Sequence, residues 1–254
     1  MNRQPYGVLI VHGFASSLDS VSAIEPQLKL LGIPTGMPVL RGHGQSSPAA
    51  LRGATWHDWM ADAEVGLQAL FSKVERVAVL GHSMGALVAL NLAADHAAEV
   101  DCVILAAAGI RLGNPLAPGR PLHFLQPLVS RVFKKWDLPP EYADPSLARF
   151  DTNYHLAPMD AIVSFLEFSE LTRRRLAEVN APTLILHSRK DTAAVPENAD
   201  IIWKGISTPV EQKQIVWFER TSHEMFQDCE REAVVGAVVN YVRQRAGLTV
   251  KQSL

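Results

Sequence analysis

Gly81-His82-Ser83-Met84-Gly85 follows directly on the apolar run Val77-Ala78-Val79-Leu80 and leads into the apolar segment Ala86-Leu87-Val88-Ala89-Leu90-Asn91-Leu92-Ala93-Ala94. The first run reads as a buried strand and the second as a buried helix. Joining them across so few residues requires a tight turn, and glycine at both two-residue offsets from Ser83 removes side chains that would collide there. Such a turn pushes the Ser83 hydroxyl outward and aims the first free N–H groups of the helix back at it. A negative charge developing beside Ser83 would be stabilised. The same motif also fits plain close packing of a strand on a helix, so its meaning depends on what else the chain carries.

Short runs rich in Val, Ile and Leu recur at Gly7–Val11, Thr35–Val39, Val77–Leu80, Cys102–Ala106, Thr183–Leu186 and Ile215–Phe218. Helical patterns fall between and after them at Val21–Leu31, Thr55–Ser72, Met84–His96, Asn198–Trp203 and Glu230–Gln244, with Thr55 as N-cap and Asp58 in the first turn. That alternation predicts an α/β fold: a mostly parallel sheet with helices on both faces. A length of 254 residues, 48% of them hydrophobic and 20% charged, suits one large soluble domain. A formal net charge of -2 gives no basic surface for nucleic acid. No run approaches the roughly 20 apolar residues of a membrane span. The stretch Val8–Val11 is cut off by His12 and Gly13, too short for the core of a signal peptide. Cys102 and Cys229 read as free thiols in a reducing compartment, and a cytoplasmic location is expected.

One block breaks the alternation. Residues 110–179 separate two strands with Pro115, Pro118, Pro121, Pro127, Pro139, Pro140 and Pro145, which permit only short helices before the pattern Met159–Glu178. The domain division expected is a core of residues 1–109 and 180–254 with a helical cap insertion at 110–179. The insert is rich in apolar residues. Most of them would serve a small core of its own, while Leu122, Leu125, Met159 and Phe165 are candidates for the wall of a substrate pocket beneath it.

A serine hydroxyl is a poor nucleophile until a base takes its proton, and that base needs an orienting carboxylate. Among nine histidines, only one on a loop at the carboxyl edge of the sheet can meet Ser83. His223, in Thr221-Ser222-His223-Glu224-Met225, lies between the last strand and the last helix. Asp191 follows the strand at Thr183–Leu186 on another loop of the same edge. The chain order Ser83, Asp191, His223 is the one expected for a nucleophile on such a turn. Two backbone donors are needed for the oxyanion: the N–H of Met84, and that of Phe14 in Val11-His12-Gly13-Phe14. His12, His43 and His82 are assigned structural roles. Neither His-Glu-x-x-His nor paired cysteines occur, so no metal site is expected.

Val8-Leu9-Ile10-Val11-His12-Gly13-Phe14, Arg41-Gly42-His43-Gly44-Gln45-Ser46, the motif around Ser83, Asp191 and Thr221-Ser222-His223 together resemble the α/β-hydrolase fold. Within it the likeness is to the bacterial carboxylesterase and monoacylglycerol lipase group, over essentially the whole chain. The resemblance implies Ser83 as nucleophile, His223 as general base and acid, Asp191 as its orienter, and Phe14 with Met84 as oxyanion donors. It implies hydrolysis of short to medium acyl esters or monoacylglycerols with no cofactor. The six residues before Gly7 leave little room for the antiparallel hairpin that often opens the family's sheet, so the resemblance implies a shortened sheet of about six or seven strands. The same triad serves carbon–carbon bond hydrolysis and cofactor-free perhydrolysis, and the same fold serves ligand receptors. These stand as the alternatives.

Overall fold

The six apolar runs become β1 (Gln4–Val11), β2 (Thr35–Gly36), β3 (Val74–His82), β4 (Val100–Ala106), β7 (Thr183–Ser188) and β8 (Lys213–Phe218). They form one sheet in the order β2-β1-β3-β4-β7-β8, parallel throughout. The computed structural model describes residues 3–248 apart from 115, 116, 118, 119, 122, 126, 127, 129 and 130. Along β1 and from Val77 onward in β3 the side chains alternate between faces, as a two-residue period requires, while a register shift at Val77/Ala78 interrupts the pairing of β3 with β4. Leu9, Val11, Val77 and Val79 face one half of the core, and Val8, Ile10, Ala78 and Leu80 the other.

Helices cover both faces. On the first lie α3 (Trp56–Phe71), α4 (Met84–Asp95), α5 (Met159–Arg175) and α6 (Glu197–Gly205); on the second, α1 (Asp19–Ser22), α2 (Glu25–Leu30) and α7 (Arg231–Arg245). Helix α3 buries Trp59, Ala63, Leu67 and Leu70 at helical spacing, and its start is fixed by Thr55 and Asp58 as a reciprocal capping box. Helix α4 buries every residue from Met84 to Ala93, because α3 and α5 cover the side that the sheet does not.

β3 starts three residues earlier than the sequence reading had it, and larger differences fall in three places. The helix expected over Val21–Leu31 is two helices, because Pro26 near the start of α2 cannot donate to a preceding turn and disfavours helical geometry at Glu25. The strand expected to Val39 stops at Gly36, two residues before Pro38, which has no N–H for a ladder. Within 110–179, β5 (Lys135–Asp137) pairs antiparallel with β6 (Leu156–Pro158), a link between three-residue segments too short to show a period.

Residues 141–143 and 153–154 lie against loops at the carboxyl edge of the main sheet. The Tyr154 N–H donates to the Ala15 carbonyl at 2.7 Å, the Ser17 N–H to Asn153 Oδ1 at 3.0 Å, and the Glu224 N–H to the Glu141 carbonyl at 3.2 Å. Asp228 accepts from the Ala143 N–H at 2.8 Å.

Candidate active site

Ser83 sits where β3 turns into α4, with φ 54° and ψ -113°. A side chain is strained there, at a cost of about 1–3 kcal/mol. The conformation is held from both sides: the Ser83 N–H donates to the Ala106 carbonyl at 2.9 Å, and the Ser83 carbonyl accepts from the Gly109 N–H at 3.3 Å. The flanking glycines answer close approach rather than an unusual φ. A Cβ on Gly81 would lie 2.0 Å from the Gly85 carbonyl oxygen, and one on Gly85 would lie 2.2 Å from that of Val11.

The loops after β7 and β8 bring two more side chains to this point. His223 Nε2 is 3.0 Å from Ser83 Oγ, and His223 Nδ1 is 2.9 Å from Asp191 Oδ2. The other Asp191 oxygen accepts from the Ala194 N–H at 2.8 Å, so the carboxylate is fixed in plane. The His223 loop is anchored through Asp228, which accepts from the Ser222 N–H at 2.7 Å and the Thr221 hydroxyl at 3.1 Å. His82 lies below, its Nε2–H donating to the His223 carbonyl at 2.9 Å. Burial by itself disfavours a charged imidazole, yet Asp191 overrides it and raises His223 to about 9, with Glu224 and Glu141 adding to the effect. Burial would likewise raise Asp191, but His223 and the Ala194 N–H hold it below the ordinary carboxylate value.

His12 and His43 brace the loop after β1. His12 Nδ1–H donates to the Gly13 carbonyl at 2.9 Å while Nε2 accepts from the Leu40 N–H at 3.2 Å. His43 Nε2 accepts from the Ala15 N–H at 3.0 Å. Both serve as acceptors, so both are neutral, and burial lowers them to about 4 and about 3. Between these braces, the Phe14 N–H donates to no acceptor among the described residues, and neither does the Met84 N–H at the start of α4.

A cavity of about 290 Å³ opens onto Ser83 and His223. Its apolar wall includes Leu112, Trp136, Met159, Ile162, Phe165 and Leu166, with Phe14 stacked on Phe165 at 5.0 Å between ring centroids. Met159 and Phe165, two of the pocket candidates, are in this lining. Leu125 occupies the turn His123–Leu125 outside the lining, since no periodicity fixes a face in a proline-broken segment. Leu122 lies outside the described residues. The sequence reading gave no role to Glu224, Glu141, Asp137 or Asp151, all of which line the cavity. For Glu224 a signal was present, a carboxylate adjacent to the candidate base. Among the described residues, no group of three or more His, Cys, Asp or Glu is arranged to hold a metal ion.

Residues 5–230 match the family model described as serine aminopeptidase, S33. The chain belongs to this family. It is 27% identical over 252 residues to a thermostable monoacylglycerol lipase from a Bacillus species, covering 96% of this chain and 92% of the relative. It is 24% identical over 241 residues to a carboxylesterase of Bacillus subtilis, covering 93% and 92%. Among solved structures, one described for the metagenome-derived lipolytic enzymes LipS and LipT superposes with a TM-score of 0.86 at 22% identity, covering 95% of each chain. A soluble variant of monoglyceride lipase from Saccharomyces cerevisiae gives 0.75 at 17%, covering 96% and 88%. The fold is that of the α/β-hydrolases. No helix among the described residues is long and apolar enough to cross a membrane.

Proposed function

We propose that this chain is a serine carboxylic-ester hydrolase of short to medium acyl esters or monoacylglycerols, with Ser83 as nucleophile, His223 as base and acid, and Asp191 as orienter. The observation that carries the reading is the continuous hydrogen-bonded line from Ser83 Oγ through both nitrogens of His223 to Asp191, at 3.0 and 2.9 Å. His223 takes the hydroxyl proton as Ser83 attacks the ester carbonyl, and the imidazolium so formed is stabilised by Asp191. The N–H groups of Phe14 and Met84 receive the negative oxygen; each such donor is worth about 2.7–4 kcal/mol to the transition state. His223 then protonates the departing alcohol, and water releases the acid by the same steps reversed. Residues 110–179 act as the cap that walls the cavity.

Two near full-length relatives described as ester hydrolases support an ester rather than a peptide substrate. The cavity is at the small end of ligand pockets, which supports a short to medium acyl group. A cytoplasmic location belongs to the same proposal and rests on free Cys102 and Cys229. The test is hydrolysis of 4-nitrophenyl butyrate against alanine 4-nitroanilide, with fluorophosphonate labelling. Ester turnover and labelling that both vanish in Ser83→Ala are expected. Preferred cleavage of the anilide, or a Ser83→Ala variant with full esterase activity, would overturn the assignment.

A further inference from the structure

The Phe14 N–H is placed by a turn that alanine does not favour. The Ser16 N–H donates to the Gly13 carbonyl at 3.4 Å, which makes 13–16 a β-turn with Phe14 and Ala15 as its central pair. Ala15 holds the second of these positions with φ 57°. Glycine takes that conformation freely, whereas alanine enters it at a cost that surrounding contacts must offset. A return of Ala15 to negative φ would unmake the turn, and with it the placement of the Phe14 N–H.

Both backbone polar groups of Ala15 are held from outside the turn. Its N–H donates to His43 Nε2 at 3.0 Å. Its carbonyl accepts from the N–H of Tyr154, just before β6, at 2.7 Å. The phenol of the same tyrosine reaches the loop that carries His43. Its oxygen accepts from the Gln45 N–H at 2.8 Å, and its O–H donates to the Gln45 carbonyl at 2.9 Å. Tyr154 therefore grips Ala15 directly at the carbonyl and, by way of the His43 loop, at the N–H. Asn153 extends the seam, its Oδ1 accepting from the Ser17 N–H at 3.0 Å. None of these contacts is needed to bury apolar surface, and all of them converge on the one strained residue beside Phe14.

Resting on the ester-hydrolase reading, we propose that Tyr154 is a positioning residue for the oxyanion contact: by clamping Ala15 at positive φ, it holds the Phe14 N–H where the transition state needs it. The clamp acts on the charged transition state rather than on the bound ester, whose carbonyl oxygen has yet to develop that charge.

The experiment measures kcat and KM for 4-nitrophenyl butyrate, and Ki for butane-1-boronic acid, whose boron bonds to Ser83 Oγ and presents a tetrahedral oxygen to the same donors. Tyr154→Phe keeps the backbone N–H but frees the Gln45 loop. It should lower kcat about tenfold at unchanged KM and raise Ki by about the same factor. In an Ala15→Gly background the same substitution should cost less, since glycine needs no clamp to hold a positive φ. Should Tyr154→Phe not fold, Asn153→Ala, which opens the seam at Ser17, carries the same comparison in both backgrounds. A rise in KM with kcat intact, a Ki that does not move, or an equal loss with and without Ala15→Gly would each overturn the proposal. Absence of wild-type turnover of 4-nitrophenyl butyrate would instead sink the ester-hydrolase reading itself.

Discussion

Alanine at position 85 would place a methyl carbon 2.2 Å from the Val11 carbonyl oxygen and 2.6 Å from that of His12. Contacts under 3.0 Å are essentially never seen for a real Cβ, and both partners are backbone at the end of β1. Close-packed interiors absorb little, so the first turn of α4 and the end of β1 must separate by about 1 Å. Those two segments carry the N–H groups of Met84 and Phe14. On the proposed mechanism, separation on that scale degrades one oxyanion contact, about 2.7–4 kcal/mol or 10²–10³ in kcat. Overpacking costs about 1–3 kcal/mol in stability, which for a chain of this size lowers Tm by about 2–4 °C per kcal/mol. The assay pairs kcat and KM on 4-nitrophenyl butyrate with thermal denaturation, and Gly236→Ala in α7, where a Cβ meets nothing within 4 Å, is the control. The control should keep full activity and lose no stability. A Gly85→Ala variant with wild-type kcat and Tm would show that the contact at 85 places no demand on the turn.

Three further outcomes are expected. Asp191→Asn should lower kcat by about 10⁴-fold. Because only neutral His223 accepts a proton, wild-type kcat/KM should climb as pH rises toward 9, and the midpoint should move down in Asp191→Asn, where burial is no longer overridden; identical pH profiles would contradict this. His82→Phe leaves the His223 carbonyl without its donor, so denaturant unfolding should report a loss of about 1–3 kcal/mol together with reduced kcat. Phe165→Ala removes the ring stacked on Phe14, which should cost about 3–5 kcal/mol and shift a 4-nitrophenyl ester series toward longer acyl chains.

The strands of the main sheet were legible because each is a short apolar run whose burial on both faces leaves no competing pattern. Residues Glu75 and Arg76 hid the start of β3, since a strand's solvent end carries no apolar signal. Pro26 and Pro38 held the information that the broken helix and shortened strand required, and hydrophobic spacing alone passed over it. At the candidate site, Ser83, Asp191 and His223 could be named in advance, because strand ends of a parallel sheet converge on one edge. The acidic wall could not be. Asp137, Asp151 and Glu224 come together through the pairing of β5 with β6 and the packing of Glu141 on the His223 loop, contacts between segments with no period of their own.

The backbone at residue 83 is one that glycine enters freely and serine enters only under constraint. Random variation filtered for heat resistance alone would therefore drift toward glycine there, yielding a tougher protein with no hydroxyl to offer. Any campaign to harden this molecule has to score turnover alongside melting, because at this one position the two demands pull in opposite directions.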